Sequence, residues 1–443
     1  MHIATAKLGS ALLVVIASIL PSQATAQDSW QKTEEAAAKA SKQGHYAEAE
    51  KLSSTNLKYA ETLTAKDARL PRNLFDLAEI DRAEGKYQDA FPLYERALQI
   101  YLRLYGPEAT EIADTLDGEA ELYKSLNDYP HGEPLLLRAL AMRQKLLHAD
   151  DPDISQSEND LGELYSLTGA FDKAEPLLLQ SLASRKIKPG PESESVAQSL
   201  ETLGTFYLKT NRTKEAEDSF RQAVGLYGKT LGGDHPDYAN ALESLAQSYA
   251  ARKDFADAEP LLLRVLVIRQ TAFGPEHRDV AVSFENLAAL NRSERKSQEA
   301  AAYYEQALAI WEKVLGPDSP DLAPDLNNLA AIYEVSGQKQ RAEPLFLRAI
   351  ALDEKTLGPQ SPELGTDLNN LGLLYLLTKR YAEADKVYQR ALSIRIHALG
   401  ENDPAVAETM GSYAQVLIYL HRNVEGKEML DKAHAILSNS NAK

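Results

Sequence analysis

Residues 315–356 read LGPDSPDLAPDLNNLAAIYEVSGQKQRAEPLFLRAIALDEKT, and their pattern sets the architecture expected for the whole chain. It opens on Gly316-Pro317, a strong turn signal. The apolar residues that follow are spaced i, i+3, i+4 and i+7, as on one face of a helix: Leu326, Leu329, Ala330 and Tyr333. A second apolar stripe follows Gly337 and consists of Ala342, Phe346 and Ala349. The stretch therefore predicts two helices joined by a short turn.

The turn at its start recurs along the chain. Its first residues are Gly106-Pro107, Gly190-Pro191, Gly232-Gly233, Gly274-Pro275, Gly316-Pro317, Gly358-Pro359 and Gly400-Glu401. The first interval is 84 residues and each later one is 42, so the chain is an array with a 42-residue period. A fixed period of this size is the mark of a repeat architecture, in which each hairpin covers the apolar face of its neighbours.

Two positions of the repeat indicate how the helices pack. One position in the first helix is always Ala or Gly: Ala78, Ala120, Gly162, Gly204, Ala246, Ala288, Ala330, Gly372 and Ala414. One position in the second helix is always large: Tyr94, Leu136, Leu178, Phe220, Leu262, Tyr304, Phe346, Tyr388 and Leu430. We expect the small residue to face the large one where the two helices cross closely.

This pattern resembles the tetratricopeptide repeat (TPR), whose signature is L-G/A-x-x-Y in the first helix and A-x-x-x-F in the second. The 42-residue period and the segments LGPDSPD and LNNLA resemble the kinesin-light-chain subtype. The resemblance implies an all-α solenoid of TPR-type helix-turn-helix hairpins, wound into a right-handed superhelix. We expect nine hairpins over residues 74–437, a degenerate first hairpin over 27–73 and a polar tail over 438–443.

The N-terminus predicts export. Lys7 precedes the apolar stretch Leu8–Leu20, and Ala24-Thr25-Ala26 is a small-x-small cleavage site. We therefore expect residues 1–26 to be a signal peptide and the mature chain, periplasmic or secreted, to begin at Gln27. The stretch is shorter than the ~20 residues that span a bilayer, so we expect no stable membrane insertion after cleavage.

Composition disfavours several functions. The net charge of -17 would repel nucleic acid. The chain has no cysteine, so thiol catalysis and cysteine-ligated metals are excluded. His235 and His277 lie one period apart in the turn and are interpreted as turn residues, not metal ligands. Asp150, Asp151 and Asp153 lack the glycine and distal glutamate of a calcium loop. We predict no enzyme activity, no cofactor and no metal.

The resemblance also implies a binding surface, because the first helices of such solenoids line a concave groove. Asn286, Asn328 and Asn370 occupy one equivalent position there, with Asn327 and Asn369 beside them. An asparagine amide offers a donor and an acceptor to a peptide bond. In kinesin-light-chain-like proteins such asparagines bind extended peptides. The alternative is that they are solvated residues multiplied by repeat duplication.

The N-terminal half of the same surface is acidic. Its predicted peptide-binding residues are Asn159, Glu163, Glu201 and Glu243, with few compensating bases expected nearby. An acidic surface of this kind would attract a basic segment of a partner. The alternative is that these charges only keep the protein soluble.

Together these patterns predict an exported scaffold that binds a partner protein or peptide in the groove. The alternatives are a chaperone-like or assembly factor for exported clients and, third, an enzyme.

Overall fold

The computed structural model of the chain describes residues 23–42 and 45–440, and in these residues the regular secondary structure is α-helix apart from one 3₁₀ turn at Pro320–Leu322. The predicted all-α helical-repeat fold is confirmed. The chain divides into two compact units, residues 1–146 and 147–443.

Within the described part of the first unit, six helices form three antiparallel hairpins. They are α1 (Gln23–Lys42), α2 (Tyr46–Ala60), α3 (Arg69–Ala83), α4 (Tyr87–Tyr105), α5 (Thr110–Ser125) and α6 (Tyr129–Leu146). Helix α1 contains the predicted cleavage site; residues 1–22 of the predicted signal peptide, and Gly44 of the degenerate hairpin, lie outside the described residues.

The second unit contributes seven more hairpins up to residue 440. Their helices are α7 (Pro152–Leu167), α8 (Phe171–Ile187), α9 (Glu194–Lys209), α10 (Thr213–Thr230), α11 (Pro236–Ala251), α12 (Phe255–Phe273), α13 (Arg278–Ser293), α14 (Ser297–Leu315), α15 (Ala323–Val335), α16 (Lys339–Thr356), α17 (Pro362–Leu377), α18 (Tyr381–Leu399), α19 (Pro404–Tyr419) and α20 (Asn423–Ser440). The odd-numbered helix of each hairpin is called its first helix and the even-numbered its second. Over residues 23–42 and 45–440, no helix is both long and apolar enough to span a membrane.

The turn between hairpins caps the helix that follows it. In the second unit one side chain in each of these turns accepts a hydrogen bond from a backbone N–H at the start of the following helix, or, for Ser319, of the 3₁₀ turn. These residues are Asp151, Ser193, His235, His277, Ser319, Ser361 and Asp403. His235 and His277 do so through Nδ1, at 3.2 Å in both cases. This confirms that both histidines are turn residues, and each satisfies a backbone donor that helix geometry leaves free.

The turn within each hairpin demands a left-handed backbone. One equivalent residue in nine hairpins has φ between 58° and 81°: Gly85, Asn127, Gly169, Asn211, Lys253, Arg295, Gly337, Lys379 and His421. Glycine and asparagine adopt this region most readily. The repeated geometry accounts for the position of Gly337 in the sequence pattern.

Small residues face large ones, as predicted. A Cβ atom placed on Gly204 would lie 2.5 Å from the ring of Phe220, and one on Gly372 would lie 2.8 Å from the ring of Tyr388. Ala330 and Phe346, at the same positions, are buried in one apolar cluster. The helices of a hairpin therefore approach so closely that a methyl group is the largest side chain tolerated at Ala330.

The first helices of successive hairpins also touch one another in the second unit: α7 with α9, α9 with α11, α15 with α17, and α17 with α19. Second helices of successive hairpins have no contact of comparable extent in the described residues. First helices thus crowd together on one side of the stack. We call the solvent-facing surface that they form in the second unit the first-helix face.

Candidate peptide-binding face

The first-helix face carries most of the residues that the sequence singles out. Asn328 on α15 and Asn370 on α17 are half-buried, and their side chains make no hydrogen bond with any described residue. Each amide therefore retains a donor and an acceptor for a ligand. The two side chains occupy equivalent positions on first helices that touch.

The neighbouring asparagines are engaged differently. Asn327 donates from Nδ2 to Oδ1 of Asp367 at 2.6 Å, so it joins α15 to α17. Asn286 and Asn369 are half-buried, and each has one buried amide atom, Nδ2 and Oδ1 respectively, that meets no hydrogen-bonding partner in the described residues. The structure thus brings Asn327, Asn328, Asn369 and Asn370 together on adjoining helices.

Asn159 differs from the prediction. It is only 1% exposed, and its Nδ2 donates to the hydroxyl of Thr202 at 3.3 Å. The side chain is short and fills the interface between α7 and α9, so it does not reach a bound peptide. At the equivalent position one period later, the longer Glu201 is half-buried and extends toward the surface.

One equivalent position on the second helices, which the sequence did not single out, supplies contacts to the first helices. Its residues are 42 apart: Arg143 in the first unit, and Arg185, Tyr227, Arg269, Trp311, Asp353 and Arg395 in the second. Four of them contact the polar residue 26 positions earlier on their own first helix: Arg143 with Asp117, Tyr227 with Glu201, Arg269 with Glu243, and Trp311 with Glu285. The 42-residue period was visible in the sequence, but the inward direction of these side chains was not.

These arginines correct the expectation of few compensating bases. Arg269 is 7% exposed and forms an ion pair with Glu243, Nη1 to Oε2, at 2.6 Å. In the first unit Arg143 pairs with Asp117 and Asp114. Glu243 is therefore neutralised within the fold and contributes little to a long-range attraction.

Glu201 has no such partner. Its carboxylate accepts a hydrogen bond from the hydroxyl of Ser244 at 3.3 Å, and the hydroxyl of Tyr227 lies beside it. Burial raises the pKa of Glu201 to about 7, and the nearby charges of Asp237 and Glu163 act in the same direction. Glu163 lies across from it on α7 and is half-buried. Of the predicted acidic residues, these two remain as candidates for ligand contact.

Two pairs of carboxyl groups lie between the helices toward the C-terminal end of the second unit: Asp325 with Glu285, and Asp367 with Asp353. Burial and the charge of Glu285 raise the pKa of Asp325 to about 7. Burial and a hydrogen bond with Asp353 raise the pKa of Asp367 to about 7. Each pair holds a proton near neutrality because two adjacent carboxylates repel each other in a buried site.

We expect these pairs to make stability depend on pH. An unfolded aspartate titrates near pH 4, so between about pH 4 and 7 the folded chain binds more protons than the unfolded chain. The free energy of unfolding should therefore fall as pH rises through this window and level off above it, by roughly 1–3 kcal/mol for each pair. Thermal melting measured from pH 5 to pH 8 checks this.

Asp325→Asn with Asp367→Asn should remove most of that dependence and raise the melting temperature at pH 8, since neither amide can ionise. Asp318→Asn is the matched control, because Asp318 is exposed in the turn before α15. An unchanged pH profile in the double variant would show that the pairs do not share protons in this way.

One family model matches the chain. It is described as tetratricopeptide repeat and matches residues 68–145, 153–229, 195–271, 237–313, 279–355, 326–396 and 363–439. Among curated proteins, none matches the chain.

Several solved structures are similar. BtubC (BKLC) from P. vanneervenii is 24% identical over 53% of this chain and 91% of that chain, with a TM-score of 0.44. A putative kinesin light chain with nearly identical TPR-like repeats from Podosopora anserina is 24% identical over 47% of this chain and 99% of that one, with a TM-score of 0.42. A signal transduction ATPase with a tetratricopeptide repeat sensor from Pyrococcus horikoshii is 12% identical over 79% of this chain and 53% of that one, with a TM-score of 0.55, a likeness of fold.

Proposed function

This chain belongs to the tetratricopeptide-repeat family, with 42-residue repeats that resemble those of kinesin light chains, and we propose that it is an exported scaffold that binds an extended segment of a partner protein. Such repeats typically serve as non-enzymatic scaffolds for protein–protein interaction. We propose that the first-helix face of the second unit holds the partner segment and that the chain carries no catalytic activity.

The amides of Asn328 and Asn370 carry this proposal. They are partly exposed on adjoining first helices and make no hydrogen bond with described residues. An extended peptide presents its own N–H and C=O groups, which an asparagine amide can meet with a donor and an acceptor together. By contrast, Asn327 is fixed by Asp367 and serves to hold α15 against α17.

We expect Asn328→Ala with Asn370→Ala to weaken partner binding roughly fivefold to 100-fold. Each amide contributes about 0.5–1.5 kcal/mol net, and a tenfold change in affinity corresponds to 1.4 kcal/mol. The partner is first captured from an exported-protein extract with residues 27–443 as bait. Its affinity for the parent protein and for the double variant is then measured by calorimetry. The weakening should persist at high salt, because neutral hydrogen bonds are not screened.

Gln222→Ala is the matched control, since Gln222 is an exposed amide on the second helix α10. It should bind the captured partner as the parent protein does. If the asparagine variant also binds like the parent, the partner contacts another surface and the proposal is wrong.

Export is a separate part of the proposal and rests on residues 1–26 of the sequence. We expect the exported protein to begin at Gln27 or a close neighbour, as mass analysis of its N-terminal peptide can determine. Recovery of the protein in a membrane fraction with Leu8–Leu20 retained would contradict export by a cleaved signal.

A further inference from the structure

A pocket of about 620 Å³ opens on the first-helix face between α9 and α11. Its ionisable lining consists of Glu194, Glu201, Tyr227 and Asp237, and no lysine or arginine lines it. Gln198 and Asn240 add amide groups. The lining therefore concentrates negative charge around a space large enough for a side chain.

A second pocket, of about 260 Å³, continues the first across α9 toward α7. The two pockets share Gln198 and Glu201 in their walls. Ser166 lines the second pocket and is only 3% exposed, and its hydroxyl meets no partner among the described residues. A buried hydroxyl without a hydrogen-bonding partner is costly unless a ligand or water supplies the bond. The two adjoining pockets therefore offer both space and an unsatisfied polar group to a bound chain.

Comparison with the next hairpin indicates what the pocket lacks. Glu243 is the equivalent of Glu201 one period later, and there Arg269 supplies a cation from the second helix. In the hairpin of α9 and α10 the corresponding residue is Tyr227, whose hydroxyl lies beside Glu201 but carries no positive charge. The nearest arginine from the preceding hairpin, Arg185, is committed to Gln198, Ser199 and the carbonyl of Ser195.

We infer that this pocket seats a lysine or arginine side chain of the bound partner segment, whose cation takes the place that Arg269 fills in the next hairpin. The inference rests on the proposed function and adds the class of residue that the face recognises. Charge complementarity selects this occupant, because an acidic side chain would be repelled by three carboxyl groups and an apolar one would leave them desolvated.

The ionisation of Glu201 supports this assignment. The groups facing it are Asp237 and Ser244 from α11, Tyr227 from α10 and Glu163 from α7. Arg185 of α8 lies beyond Gln198, and Arg269 of α12 lies beyond Asn240. Lys209 lines the far end of the second pocket, exposed and about two turns farther along α9. None of these cations forms an ion pair with Glu201, whose pKa is raised to about 7. A bound ammonium or guanidinium group favours the ionised form of the Glu201 carboxyl. The cation should therefore bind more tightly as pH rises through 7, and its binding below pH 7 should release a proton from Glu201.

The test uses N-acetyl-arginine methylamide, the lysine counterpart and the neutral isostere N-acetyl-citrulline methylamide as probes in ligand-detected NMR at millimolar concentration. The parent protein should bind at least one cationic probe at least tenfold more tightly than the citrulline probe, and more tightly at pH 8 than at pH 6. Glu201→Gln should weaken cation binding about tenfold, the size of a lost charge-assisted hydrogen bond. Asp218→Asn, an exposed carboxylate on α10, should leave it unchanged.

Tyr227→Arg gives a second variant that copies the arrangement of Glu243 with Arg269. It should fold and should abolish binding of the cationic probes, since an internal cation then occupies the site. The inference is overturned if cationic and neutral probes bind alike, if neither cationic probe binds, or if both variants bind them as the parent does. These outcomes leave the asparagine test of the partner unaffected, so failure of the pocket and failure of the scaffold proposal are read separately.

Discussion

Arg269→Met should lower the free energy of unfolding of the second unit by about 3–5 kcal/mol, the largest effect expected of any single substitution considered for this protein. Arg269 lies almost wholly inside the fold and its guanidinium meets Glu243 at 2.6 Å, Ser283 Oγ at 3.0 Å and Asn240 Oδ1 at 2.9 Å. Methionine fills similar space but leaves the carboxylate of Glu243 without a counter-charge in a site shielded from water. Urea denaturation followed by circular dichroism measures the loss.

Glu243→Gln should largely restore stability when combined with Arg269→Met, because the double variant no longer holds an unpaired buried charge. Comparing the two single variants with the double variant separates the energy of the ion pair from the loss of arginine packing. A double variant that is no more stable than Arg269→Met would show that the ion pair is not the source of the loss.

Ala330→Leu should cost about 1–3 kcal/mol of stability. Ala330 is fully buried in the cluster that contains Phe346. A Cβ atom at the glycine one period later already meets a ring at 2.8 Å. Three further carbon atoms at this crossing must therefore push α15 and α16 apart, and thermal melting should register the shift.

Ala331→Leu provides the control within the same helix. Ala331 is the next residue and is exposed, so the added atoms meet solvent and stability should change by less than ~0.5 kcal/mol. Equal losses from the two substitutions would mean that the assignment of Ala330 to the helix crossing is wrong.

Much of the fold followed from the repeat alone, because strict periodicity reports which positions share one environment. The Ala or Gly at position 330 and its equivalents predicted a close crossing, and the ring of Tyr388 against Gly372 confirms it. The turns could be predicted equally well: His235 and His277 occupy the position that Ser or Asp holds in the other hairpins of the second unit, and Ser and Asp are residues that cap helices.

The site was harder to predict because it depends on contacts between helices. Glu201 and Glu243 are equivalent in sequence, yet one faces Tyr227 and the other Arg269, and only the second is neutralised. Asn159 at the same position is buried, because its shorter side chain ends inside the helix interface. The periodicity of a single helix does not show these contacts, because the residue that each carboxylate meets lies 26 positions later on another helix.

Hydrogen exchange of the protein with and without its captured partner locates the bound segment helix by helix, because it measures protection along the chain. The partner should slow exchange on first helices of the second unit, above all α9, α15 and α17, while α10, α16 and α18 exchange as before. Protection confined to those second helices or to the Gly-Pro turns, with the first helices unchanged, would contradict binding on the first-helix face.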